Sequence, residues 1–222
     1  MSAYDDLIAI NLGRIEALEE MARRTYEEWF VNYRFPGGNE TRPGNWNQLL
    51  IKDKIKFHYG KALKASDRNG GIVPVYGSSG IVGYHDKPLV EHATLILGRK
   101  GNVGSVHWSK IAFHPIDTCF YLESDLPLEF LFLNMKTQKF LNSDAAVPGL
   151  NRNQAYLLPL EVPTDDILKK FVNHAKPLFE AITIFEKQNA NLRAQRDLLL
   201  PRLISGEIEV SDAPLPSAEA AE

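Results

Sequence analysis

Apolar residues recur at helical spacing from Ser2 to about Arg34, with no proline before Pro36. Tyr4, Ile8, Asn11, Ile15, Leu18, Ala22, Thr25 and Trp29 stand at steps that alternate four and three. The same phase returns near the other end in Leu178, Ile182, Phe185, Asn189, Leu192, Arg196, Leu199 and Leu203. Alternating steps of this kind mark the a/d seam of a coiled coil. Each series holds one asparagine, Asn11 or Asn189, a device that fixes register at some expense in stability. A 3.6-residue period would also let both helices pack on a central domain, but seven consecutive steps in both copies favour the seam. The second helix is predicted to start at Thr164-Asp165-Asp166, a capping residue followed by acids, and to stop at Gly206. Pro201 should kink or tighten its end, and Gly13 costs the first helix about 1 kcal/mol relative to Ala. About 30 helical residues at 1.5 Å each make a rod of roughly 45 Å, slightly longer than one turn of B-DNA, about 34–36 Å.

Between the helices the pattern changes. Thr41–Trp46 is turn-rich. Short β-like runs follow, broken by Gly, Pro and Asn: KIKFHYG, GIVPVYG, ATLILG, NVGSVHW, IAFHP, TCFYLE and YLLPLEVP. A helix is predicted over residues 126–139, where Pro127 stands at its start. The expected division is residues 1–35 as the first helix, 36–163 as the middle domain and 164–206 as the second helix. The remaining residues, 207–222, are small, acidic and proline-containing, which predicts a disordered tail. The fold class is α+β, with a mixed, β-rich middle that is not a βαβ array.

Charge sharpens this division. The 222-residue chain carries a net charge of −3, yet residues 51–110 hold 10 basic residues against 4 acids. A basic middle between acidic flanks is the distribution expected of a protein with an anionic partner. A run of 18 apolar residues is absent and the N-terminus is acidic, so neither a membrane span nor a signal peptide is expected. The single cysteine, Cys119, excludes an internal disulfide and suits a cytoplasmic setting.

Two glycine repeats carry the candidate chemistry. Gly77-Ser-Ser-Gly80-Ile-Val-Gly83-Tyr-His85 and Gly98-Arg-Lys-Gly101-Asn-Val-Gly104 share the spacing G-x-x-G-x-x-G. Neither is a P-loop or a dinucleotide fingerprint, and both lead into β-like sequence instead of a helix. Glycine at these points lets backbone approach a partner closely, which makes Ser78, Ser79, Tyr84, His85, Arg99, Lys100 and Asn102 candidate binding residues. Lys61 joins them, as do Asn151, Arg152, Asn153 and Gln154, whose side chains suit phosphates or base edges. The six histidines have no HExxH spacing and no cysteine partners, so no metal site is expected. Nor is a catalytic residue expected, because G-x-S-x-G and other nucleophile contexts are missing.

Four blocks, in order, resemble the specificity (S) subunits of type I restriction-modification systems. Residues 15–37 (IEALEEMARRTYEEWFVNYRFPG) resemble the family's central conserved helix and its exit. Residues 73–86 (VPVYGSSGIVGYHD) and 95–108 (LILGRKGNVGSVHW) resemble the body of a target-recognition domain. Residues 148–163 resemble the end of that domain, and 191–208 (NLRAQRDLLLPRLISGEI) the distal conserved helix. The resemblance implies a non-catalytic DNA-reading subunit whose two helices form an antiparallel coiled coil, with double-stranded DNA as ligand. It also implies docking to a methyltransferase (M) subunit that binds S-adenosylmethionine, and a motor-nuclease (R) subunit in the full complex. A full-length member has two recognition domains and two helices; here one domain lies between two helices. The resemblance is therefore to a C-terminal half, whether a natural half-subunit or a truncated fragment. Such a half would work as a homodimer, two copies joining through exposed helical seams, or as the complement of another half-subunit. The alternative function is a coiled-coil interaction regulator that binds the methyltransferase partner without DNA.

Overall fold

In the computed structural model, residues 2–38, 40–140 and 149–207 are described. The elements in order are α1 (Ser2–Phe30), β1 (Asn47–Leu50), α2 (Ile51–Lys54), β2 (Ile55–Tyr59), β3 (Val73–Gly77), β4 (Gly80–His85) and β5 (Thr94–Gly98). They continue as β6 (Val106–Ser109), β7 (His114–Pro115), β8 (Cys119–Ser124), α3 (Leu128–Thr137), α4 (Arg152–Tyr156), β9 (Pro159–Val162) and α5 (Asp165–Ile204). The class is α+β, a strand-rich middle between two long helices. The described residues form two compact units, 2–21 with 177–207, and those between 22 and 176. Both α1 and α5 contribute residues to each unit. The expected tail lies, beyond Glu207, outside the described residues.

In the first unit the seam residues turn inward. Ile8, Asn11, Ile182 and Asn189 are buried, and Ile15, Leu18, Leu178, Phe185 and Leu192 are half-buried. Asp5 pairs with Arg196 at 2.7 Å, the Asn11 amide donates to Asn189 Oδ1 at 3.0 Å, and the Arg14 guanidinium lies 5.4 Å from the centre of the Phe185 ring. As numbering rises along α1 the partner's number falls, so the pair is an antiparallel coiled coil. The sequence steps of four and three are what keep one face of each helix on the other. Leu7, Ile10 and Met21, off that face, are about half exposed.

The second unit is built on aromatic packing and three antiparallel-dominated sheets. Phe30 stands 4.8 Å from Phe171, 5.2 Å from Phe130 and 5.8 Å from Trp46 between ring centres. Tilted and edge-on contacts of this kind add to the roughly 1.5–3 kcal/mol that burying each ring contributes. Tyr26 joins the group, and its hydroxyl accepts a hydrogen bond from Asn134 Nδ2 at 2.8 Å. Beside it lie a four-stranded sheet of order β2-β8-β5-β6, a three-stranded sheet β4-β3-β7 and the pair β1-β9. Every pairing is antiparallel except β3 with β7. Leu95, Ile96 and Leu97 of β5, the strand between β8 and β6, are fully buried, so both faces of the sheet are covered there.

Several elements differ from the sequence expectation. The first helix was expected to reach Arg34 but ends at Phe30. Its stop is made by Tyr33 in the left-handed region (φ 57°), with the Arg34 N–H folded back onto the Glu28 carbonyl. Glycine usually takes that conformation, so the sequence carries no stop signal there. The repeat beginning at Gly77, which reads either as a glycine-rich β-turn or as a binding loop, forms the turn of a hairpin, with Gly77 opposite Gly80 and Ser78-Ser79 at the tip, followed by strand β4. Residues 151–154 read in sequence as four side chains suited to phosphates or base edges. They begin a short helix, capped by Asn151, whose Oδ1 accepts from the N–H groups of Asn153 and Gln154. Among the described residues, no helix is long and apolar enough to cross a membrane.

Candidate nucleic-acid interface

Strand directions decide which candidates meet. Both β2 and β5 run antiparallel to β8, so they run the same way and their C-terminal ends lie at one end of the four-stranded sheet. Tyr59 and Lys61 follow from β2, and Arg99 and Lys100 from β5. The Arg99 and Lys100 N–H groups both donate to the Thr118 carbonyl, at 2.8 and 3.1 Å, which pins the second glycine repeat to the start of β8. Arg152 arrives from α4. The Leu150 N–H donates to the Arg99 carbonyl at 2.7 Å, and Lys100 bridges to Gly149.

The glycine repeat does not work as a phosphate cradle of backbone amides. Gly98 N–H donates to Ser105 O, Val103 N–H to Gly101 O, Gly104 N–H to Gly98 O and Ser105 N–H to Asn102 O. Asn102 N–H donates to Ser78 Oγ at 3.3 Å. Between Gly98 and Ser105, only Gly101 has an amide without a partner among the described residues. The glycines are needed for shape. Gly101 and Gly104 sit at φ +77° and +78°, and a Cβ on Gly98 would collide with the Asn102 carbonyl. A tightly self-bonded turn leaves side chains as the groups available to a partner.

The two repeats touch each other. Ser78 is the clip: its hydroxyl accepts from Asn102, and its carbonyl meets the Ser105 hydroxyl and His107 Nε2. Ser79 is exposed beside it. Tyr84 and His85 lie at the opposite end of β4 from this tip. His85 contacts Asp86 at 3.2 Å and stands edge-on to His114 at 5.9 Å; His114 Nε2 lies 3.3 Å from the Lys61 carbonyl. The structure therefore joins Ser78 to Asn102 and brings Arg99 and Arg152 to one aromatic ring, that of Tyr59, while Lys61, at the same end of the four-stranded sheet, borders His114 as His85 does. Asn153 and Gln154 are exposed on the first turn of α4, while the Asn151 carbonyl oxygen is occupied by capping.

Ion pairing sorts the basic residues of the middle. Lys54 pairs with Asp125 at 3.0 Å and Lys56 with Glu123 at 2.9 Å. The Lys56 and His58 hydrogen bonds hold the Glu123 carboxyl below the ordinary carboxylate range. Arg68 is structural, its guanidinium donating to the Val82 carbonyl at 2.7 Å. Lys61, Arg99, Lys100 and Arg152 form no ion pair among the described residues, nor do Lys52, Lys64 and Lys87, which lie elsewhere in the sequence. Four uncompensated cations at one sheet end make a local positive field suited to an anionic ligand. Among the described residues, no three His, Cys, Asp or Glu side chains gather as a metal site.

One residue that sequence reasoning passed over sits among these cations. Tyr59 is 49% exposed at the end of β2, and both Arg99 and Arg152 lie over its ring. Its only sequence signal is an aromatic directly before Gly60-Lys61 at a strand end, too common a pattern to single out.

Comparison with known proteins follows the same lines. The sequence signature described as Type I restriction modification DNA specificity domain matches residues 43–194. The type I restriction enzyme MjaIX specificity subunit of Methanocaldococcus jannaschii is 43% identical over a 250-residue alignment. That alignment covers 96% of this chain and 58% of the archaeal protein. Among solved structures, the S subunit of a type I restriction-modification system from M. genitalium superposes with a TM-score of 0.68 at 19% identity. It covers 91% of this chain and 58% of that one, a likeness of fold. The chain thus spans somewhat more than half the length of these relatives.

Proposed function

The chain belongs to the type I restriction-modification DNA specificity family, and from that premise we propose that it reads one part of a bipartite DNA target and docks methyltransferase subunits. The carrying observation is the cluster of Lys61, Arg99, Lys100 and Arg152 at one sheet end, four cations without an acidic partner among the described residues. Cations of this kind hold the phosphates of a duplex, while Arg forks and amide side chains reach base edges in the major groove. In this reading the chain is cytoplasmic and non-catalytic and needs no cofactor of its own. S-adenosylmethionine belongs to the methyltransferase partner, and a motor-nuclease subunit joins for cleavage. The alternative, a coiled-coil regulator that captures the methyltransferase without DNA, leaves these cations without a role.

Stoichiometry is part of the proposal. One recognition domain reads one part of a split sequence, so a second copy, or the complementary half of another subunit, supplies the other part. The seam that such a copy was expected to use is closed within the single chain. A second copy would therefore meet residues off the seam, such as Leu7, Ile10 and Met21. The test maps methylated adenines in DNA from cells that carry this chain with its methyltransferase partner. A symmetric, interrupted motif is expected of a homodimer, and methylation without any sequence motif would overturn the DNA reading. Arg99→Ala and Arg152→Ala should each weaken specific duplex binding by about 1–3 kcal/mol if they contact base edges bidentately. Unchanged affinity in both variants would remove them from the interface.

A further inference from the structure

We infer that Tyr59 is a positioning residue that holds Arg99 and Arg152 as one unit toward the DNA; this rests on the DNA-reading proposal above. The two arginines come from segments about fifty positions apart in sequence, yet their guanidinium carbons lie 5.1 and 4.9 Å from the centre of the same ring. Both distances fall within the range of a cation–π contact. No carboxylate among the described residues holds either guanidinium. The ring thus replaces the acidic partner that would otherwise order two neighbouring like charges, and it does so without neutralising them.

The ring is itself fixed from beneath. Tyr59 packs 4.9 Å from Phe120, which is fully buried, and Phe120 stacks on Phe57 at 5.8 Å. Phe57 stacks in turn on Tyr156 at 5.0 Å, and the Tyr156 hydroxyl accepts a hydrogen bond from the Phe57 N–H at 2.9 Å. Arg152 lies 6.0 Å from the Tyr156 ring as well. An aromatic ladder therefore runs from the core of the β2-β8-β5 sheet to the two guanidiniums. Arginine side chains are rich in rotamers, and ordering each one on binding is unfavourable. Arginines already stacked on a rigid ring lose less freedom when they meet a duplex. The Tyr59 hydroxyl has no hydrogen-bond partner among the described residues, so the face of the ring, not its oxygen, is the working part.

The test uses the full chain and a pool of random-sequence DNA duplexes, with affinity followed against salt. Tyr59→Leu should bind about tenfold more weakly, the scale of ordering two freed arginine side chains on binding. Tyr59→Phe, which keeps the face and loses the hydroxyl, should bind within twofold of the parent. Arg99→Ala and Arg152→Ala should each weaken binding and lower the salt slope by about 1, and an unchanged affinity and slope in both would overturn the inference. In the Arg99→Ala, Arg152→Ala double variant, Tyr59→Leu should have no further effect on affinity. A general structural role would weaken that variant again and would overturn the inference. So would a Tyr59→Leu chain that binds like the parent, or a Tyr59→Phe chain as weak as Tyr59→Leu. A parent chain that fails to bind duplex at all would instead overturn the DNA reading, and the inference with it.

Discussion

Tyr26 shows how a single buried group ties stability to pH. Burial pushes its phenol from the ordinary 10.0 up to about 12, with the Asn134 hydrogen bond acting against the rise. The unfolded chain loses that proton near pH 10 while the folded chain keeps it. Stability that is fully present below pH 10 is therefore lost as pH climbs toward 12. The loss amounts to roughly 2–3 kcal/mol over that window. Tyr26→Phe should remove this part of the pH dependence, which denaturant midpoints of both chains between pH 9 and 12 would show. Two curves that stay parallel across the window would sink the assignment. The candidate binding residues divide by how conspicuous they are in the sequence. Arg99, Lys100 and Arg152 could be picked from sequence because charge beside glycine or amide is conspicuous. Ser78, picked for a binding role, holds the two repeats together, and Tyr59 was passed over because its role depends on two arginines that only the fold brings to it.

At the scale of elements, the Asn11–Asn189 contact joins the two strands of the coiled coil. Both residues are buried, at 5% and 2% exposure, and Asn189 Nδ2 has no partner among the described residues. Replacing one asparagine leaves the other's polar groups buried and unmatched, so Asn11→Leu should destabilise by about 1–3 kcal/mol. Replacing both should restore or exceed the parent's stability while loosening register. Chemical denaturation of the two variants checks this, and a double variant less stable than the single one would refute it. Helices were visible in the sequence because the 4-3 steps repeat over many residues and average out local exceptions. Their ends and short elements were not. The stop of α1 uses a left-handed Tyr33, α4 is five residues long, and the β3–β4 turn looks like any glycine loop until its strands pair. Pro177 was also overlooked: α5 runs through it without the N–H that would continue its hydrogen-bond ladder. It stands where the two compact units divide the helix.

For the whole molecule, a net charge of −3 conceals its distribution. Acidic residues gather toward the two ends, and the surplus of Lys and Arg lies in the middle. The two units differ in another respect. Residues 22–176 form an uninterrupted stretch of chain, whereas the coiled-coil unit joins two segments that this stretch separates, residues 2–21 and 177–207. Closing the second kind requires contacts across nearly the entire length, which is slow compared with forming local ones. During synthesis the consequence is an obligatory order. Residues 1–21 are made long before residues 177–207, so α5 reaches Ile8, Ile15 and Leu18 only after the 22–176 stretch has been synthesised. Chains stalled just after 22–176 has emerged should therefore resist protease across that stretch and be cut within residues 1–21. Equal resistance at both places would show that the N-terminal segment finds shelter before its helix partner is made.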